Sequence, residues 1–170
     1  PMHSERLVIQ RRRFAATLFP AVLGTIALAC GGSSAPESVK PATSPTSAVE
    51  SFMEAVADSN LAKMGALWGT AGGPAAKTRQ PSDWERRVAV MQSYLRNESH
   101  RVVANEAAST EGRRNVQVEL RRQLCSWVVP FVVIKAYDGT WLVNQVDLTA
   151  AGNPSRPCDP GSQVDSAGRQ

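Results

Sequence analysis

The hydrophobic period of this chain changes once, at Asn97, and that change limits the fold more than any other feature. Before it, apolar residues recur at helical spacing. Val49, Phe52, Met53 and Val56 mark one face, Leu61, Met64, Leu67 and Trp68 a second, and Trp84, Val88, Met91 and Leu95 a third. Ser47 to Glu50 and Pro81 to Glu85 read as capping boxes, Asn60 as the cap of the middle helix, and Gly69 with Gly72-Gly73-Pro74 as its stop. After Asn97 the period becomes two. Val102 to Ala108 reads as a first strand, and Val116, Val118 and Leu120 alternate with Gln117, Glu119 and Arg121 in a second. Val128 to Tyr137 and Trp141 to Leu148 read as the third and fourth, joined by a two-residue turn at Asp138-Gly139 that sets Tyr137 opposite Thr140. Pro130 must occupy an edge, a bulge or the strand's first residues. Helices followed by strands predict an α+β fold, with three N-terminal helices packed on a four-stranded antiparallel meander sheet.

The ends of the chain do not fit this core. Arg11-Arg12-Arg13 precedes an apolar run from Phe14 to Ala29, sixteen residues long and interrupted by Pro20 and Gly24. A spanning helix needs about 20 apolar residues, so residues 1–29 read as an export signal that is removed. Small residues then flank a cysteine, Ala27-Leu28-Ala29-Cys30-Gly31-Gly32-Ser33-Ser34, a run that resembles the bacterial lipobox. The resemblance implies diacylglycerol on the Cys30 thiol, cleavage before it, and a fatty acyl chain such as palmitate on the new N-terminus. Ala27 stands where Leu is commonest; the alternative is an ordinary secretory signal that leaves Cys30 free. Residues 30–46, rich in Ser, Pro and Gly, read as a flexible tether, residues 47–148 as the folded domain, and residues 149–170 as an irregular tail. The chain carries a formal charge of +4, but the signal holds four of the 19 basic residues against one acid, Glu5. The exported part is therefore close to neutral, which argues against a nucleic-acid partner.

Ser47 to Met64, with Tyr137-Asp138-Gly139-Thr140-Trp141-Leu142-Val143, resembles the small bacterial lipoproteins of the nuclear-transport-factor-2-like superfamily. The resemblance implies a cone-like packing of helices on a curved sheet. It covers roughly residues 47–148 and departs from the pattern at the insertion Thr70 to Pro81 and at the Cys-bearing segment after Leu120. Packing and turn motifs speak to fold far more than to function.

Neither a metal motif nor a hydrolytic triad is present in the sequence, no cofactor motif is recognised, and His100 is the one histidine beyond the signal. The expected function is a membrane-anchored, non-enzymatic binding or interaction module. It would be held in the periplasm or at the outer surface of a bacterial envelope, its ligand unspecified. The alternative is a small enzyme of the ketosteroid-isomerase or polyketide-cyclase type, implied by the superfamily, with a polar site inside the cone. Pocket positions to test are His100, Tyr137 and Asn144, against the reading that His100 is exposed at a strand start and Tyr137 flanks the hairpin. Arg113-Arg114 and Arg121-Arg122 are either a phosphate or headgroup patch or solvated strand residues.

With Tyr137 opposite Thr140, both faces of the last two strands are apolar. Val132, Ile134 and Val143 fall on one face, and Phe131, Val133, Leu142 and Val146 on the other. One face must lie away from the helices. Phe131, Val133, Leu142 and Val146 are taken as the interface for a homodimer or an envelope protein, with the tail folding over that face as the alternative. The same register leaves Leu148 opposite Val129, near Cys125, so the tail can return Cys158 to it. With Cys30 taken by lipid, an exported chain favours a Cys125–Cys158 disulfide, worth about 3 kcal/mol in the chain-entropy model. Alkylation with a mass tag is expected to label neither thiol until the protein is reduced. Labelling of both without reduction rejects the bridge.

Overall fold

The computed structural model describes residues 39–156; residues 1–29, expected as an export signal, and Cys30 and Cys158 lie outside them. The described part is α+β, with helices and a four-stranded antiparallel sheet. No helix among the described residues is long and apolar enough to cross a membrane.

Helix α1 (Pro45–Ala57) begins two residues before the expected Ser47. Ser44 is extended, its hydroxyl accepts from the Ser47 N–H, and the Ser47 hydroxyl accepts from the Ser44 N–H. Two serines thus close a reciprocal cap without Glu50, and Pro45 fits the first helical position, where no N–H is needed. The core includes residues before the expected boundary at Ser47. Ala42 is buried, its carbonyl accepts from the Trp141 N–H at 3.0 Å, and Val39 packs against the core.

Asn60 caps α2 (Leu61–Leu67) by accepting from the Lys63 N–H. Met64 and Leu67 turn inward as expected, whereas Leu61 is 41% exposed. The segment expected as a polar insertion is ordered. β1 (Gly69–Thr70) pairs with β2 (Gly73–Pro74), and the one-turn helix α3 (Ala75–Thr78) follows. α4 (Trp84–Leu95) buries Trp84, Val88, Met91 and Leu95. Its expected capping box does not form: Asp83 is the N-cap residue but makes no side-chain cap bond, because its carboxylate is engaged by Arg87 instead.

β3 (Ser99–Ala107), β4 (Arg113–Arg122), β5 (Cys125–Lys135) and β6 (Trp141–Val146) pair in sequence order. β5 starts three residues before the expected Val128, since Gln123, at a φ of 52°, and Leu124 make a two-residue turn that no glycine announces. The β5–β6 hairpin is wider than expected. Lys135, not Ala136, faces Trp141, because the Asp138 carboxylate accepts from the Thr140 N–H and hydroxyl and rounds the tip. An irregularity at Val132/Val133 then returns the strands to the expected register, with Phe131 opposite Val146.

This arrangement decides which sheet face meets the helices. Val116, Val118, Leu120, Val129, Phe131 and Val133 are fully buried, and the Phe131 ring meets Phe52 of α1 edge-on at 6.3 Å. The expected interface set is therefore split. Phe131 and Val133 belong to the core, and Val146 packs against it. Leu142, shifted opposite Ile134, takes the other face and is itself only 3% exposed. On that outer face Val128 is half exposed, and Val132 and Ile134 are half-buried.

Gly65 lets α2 and α4 touch. A Cβ there would lie 2.3 Å from the Trp84 ring. Gly65→Ala gains up to about 1 kcal/mol of helix propensity, but the ring must move, at a cost of about 1–3 kcal/mol. Urea unfolding is expected to show a lower midpoint for Gly65→Ala. Gly72→Ala, whose Cβ meets only Thr70 Oγ1 at 3.6 Å, is expected to stay near wild type.

Candidate functional site

α4 carries two stripes. Beside the core stripe run Asp83, Arg86, Arg87 and Val90, at i, i+3, i+4 and i+7, which keeps them on one outward face. Opposite them stands the end of β6, and between the two lies a groove of about 520 Å³. Its volume falls within the about 300–1,000 Å³ of ordinary small-molecule sites. The floor is apolar, from Trp68, Met91, Val146 and Leu148, and the rim carries Arg86, Arg87, Asp83 and Gln145.

Trp68 sets the floor. It follows α2 in extended conformation, bridges Val143 in parallel, and donates from Nε1 to the Asn144 carbonyl at 2.9 Å. The Asn144 carboxamide answers by donating to the Gly69 carbonyl at 2.7 Å. Asn144 is thus a groove residue whose amide N–H₂ holds β1 against β6. At the rim, Arg87 Nε donates to Asp83 at 2.9 Å, and this bond, with the guanidinium charge, holds the Asp83 carboxyl below its ordinary value.

Of the three expected pocket residues, only Asn144 reaches this groove. His100 stands near the start of β3, in a separate hollow with Arg101, Glu119 and Arg121. Tyr137 is 90% exposed beside the hairpin turn. They are not brought together, because strand order places β3 and β6 on opposite edges of the sheet. In the His100 hollow, Glu119 accepts from Arg101 and from the Ser126 hydroxyl, and both bonds lower its pKa. Among the described residues, no group of three His, Cys, Asp or Glu side chains is placed to hold a metal ion.

The arginine pairs do not form a patch. Arg114 binds Asn105, and Arg121 lies 4.0 Å from Glu119. Arg122 turns inward. It donates to the carbonyls of Tyr94 and Ala151 and stacks 4.9 Å over the Trp127 ring, and burial lowers its pKa. Cys125 is disulfide-bonded, while Cys30 and Cys158 both lie outside the described residues. The groove arginines, Arg86 and Arg87, were missed by sequence reasoning. Their signal was the second stripe on α4, which reads as a solvated face until β6 is set beside it.

Compared with protein-family models, curated proteins and solved structures, the chain matches none.

Replacing Arg87 with Ala removes the bond that depresses the Asp83 pKa, so an NMR titration is expected to show that carboxyl rising toward 3.8. The sign follows from the depressed folded-state value. The stabilisation is complete above the unfolded-state value and is lost as pH falls through the folded-state value, so wild type and variant converge in acid. The difference at neutral pH is small, as befits an exposed pair.

Proposed function

We propose that this chain is a lipid-anchored bacterial envelope protein whose folded part is a non-enzymatic binding module, with the groove between α4 and β6 as its binding surface. The observation that carries the reading is the groove itself. Its apolar floor is fixed by the Trp68–Asn144 and Asn144–Gly69 hydrogen bonds, so the cleft is held open by packed elements. An arginine rim over an apolar floor is a recognition surface.

The lipobox-like run around Cys30 supplies the anchor in this proposal, and the polar stretch after it the spacing from the bilayer. Helices on one face of a meander sheet support the cone-like, nuclear-transport-factor-2-like reading of the fold. Cys158 is the proposed partner of Cys125 because Cys30 is assigned to lipid. A second copy or an envelope protein is the proposed cover for the outer sheet face, around Val128, Val132 and Ile134, in place of the Phe131 set.

Anchoring is tested in a bacterial host. Cys30→Ser is expected to lose palmitate incorporation and to accumulate as precursor or in the soluble fraction. A variant that sediments with membranes as tightly as wild type rejects the lipid anchor.

A further inference from the structure

The groove does not end at Leu148. Val90 and Leu148 also line a second hollow of about 490 Å³, which adds Tyr94 and Asn153. A third hollow of about 360 Å³ follows beside Ser93 and Arg96. Together they flank α4 from Asp83 to Arg96 as one trough whose first two hollows share Val90 and Leu148 and whose third opens at the C-terminal end of the helix. At about 1.5 Å per helical residue the trough is about 20 Å long, the span of about six extended residues at about 3.3 Å each.

Charge is placed at its two ends. Arg86 stands near one end and Arg96 near the other, about 15 Å apart by helical rise. Both are exposed, and neither forms an ion pair among the described residues. Asp83 is the one acid among the groove-lining residues, and it is already held by Arg87. Between the ends Val90 is 42% exposed and Leu148 faces it, an uncharged apolar stretch edged by Tyr94, Thr149 and Asn153.

The edge of β6 adds a backbone partner. The Asp147 N–H donates to the Pro130 carbonyl, which makes Phe131–Val146 a non-hydrogen-bonded pair of the ladder. The N–H and C=O of Val146 therefore point away from β5, on the open edge. Two residues earlier, the Asn144 carbonyl is taken by Trp68, whereas no backbone bond outside the sheet ladder uses Val146 among the described residues. An open strand edge beside a trough is the geometry of strand addition.

We propose that this trough receives an extended peptide with an apolar residue at its centre and acidic residues on either side, hydrogen-bonded to Val146. The proposal rests on the binding-module reading and names the module's partner chemistry. A fatty acid offers one anionic head and no amide to meet Val146. A nucleic acid would set a phosphate against the apolar middle. A peptide whose residues alternate sides places acid, apolar and acid on one side at every second position, the two acids about 13 Å apart.

The test is fluorescence anisotropy of the full chain with a labelled Asp-Ser-Val-Ser-Asp peptide. Saturable binding is expected, weakened by salt, by Asn in place of both Asp residues, and by N-methylation of the peptide Val. Arg86→Glu and Arg96→Glu are each expected to weaken it about fivefold or more, and Val90→Arg to abolish it. These positions are exposed, and circular dichroism confirms that each variant is folded. No saturation up to about 1 mM, or affinity indifferent to both charge reversals, overturns the peptide assignment. Saturation by a fluorescent fatty acid without peptide binding overturns it as well, but leaves the binding-module reading standing. Cleavage of the peptide during the titration would instead overturn the non-enzymatic reading.

Discussion

Trp68 ties α2, α3 and β6 together. Its N–H closes the last turn of α2 on Met64, and its carbonyl accepts from Ala75 at the start of α3. The backbone bridges Val143, and the indole N–H takes the outward carbonyl of Asn144. Each such bond contributes about 0.5–1.5 kcal/mol net. Their larger effect is positional. They cap the first half of the β6 edge and leave the second half open, which is where the groove lies.

Arg122 does for the other end of the domain what Trp68 does for this one. A buried guanidinium is costly unless its donors are met, and it draws in the carbonyls at the end of α4 and in the C-terminal turn (Thr149–Ala151). Trp127 covers one face of it, and Gly152, at a φ of 72°, crosses that ring where a Cβ would lie 2.6 Å from its nitrogen. The segment after β6 is thereby pinned beside α4. It becomes the second wall of the trough, so a stabilising contact also shapes the proposed binding surface.

The described side chains divide by environment in a way that accords with the proposed recognition role. Its arginines are sorted by role: Arg122 is structural, Arg101 and Arg121 surround Glu119, and Arg86 and Arg96 stand exposed along the trough. The perturbed carboxylates, Asp83, Glu119, Asp138 and Asp147, are all lowered by hydrogen bonds to neighbouring side chains. A carboxylate held in its charged form in this way is a poor proton donor near neutral pH. For a protein proposed to be tethered by lipid, a groove built on hydrogen-bonded elements would give a proposed partner a surface that needs no moving part.

Much of the fold was legible because local pattern and tertiary role agree. Helical stripes such as Trp84, Val88, Met91 and Leu95, and the alternation of Val116, Val118 and Leu120 with polar neighbours, each contain one apolar face, and that face turned inward. β5 offered no such contrast. Val132 and Ile134 are as apolar as Phe131 and Val133, so sequence alone could not orient the strand, and only Phe52 meeting Phe131 decided it. The hairpin register depended on one carboxylate at Asp138 and an irregularity five residues away, neither of which composition reveals. The groove was illegible for a related reason. Its walls, Asp83 to Arg96 and Asn144 to Ser155, lie far apart in the chain, and each reads alone as an ordinary surface. The sequence by itself determined the elements, their order and most of their buried faces, because those follow from interactions within a few residues. The tertiary structure decided which apolar face of β5 is core and where a concave surface exists, because both depend on contacts between segments that meet only after folding.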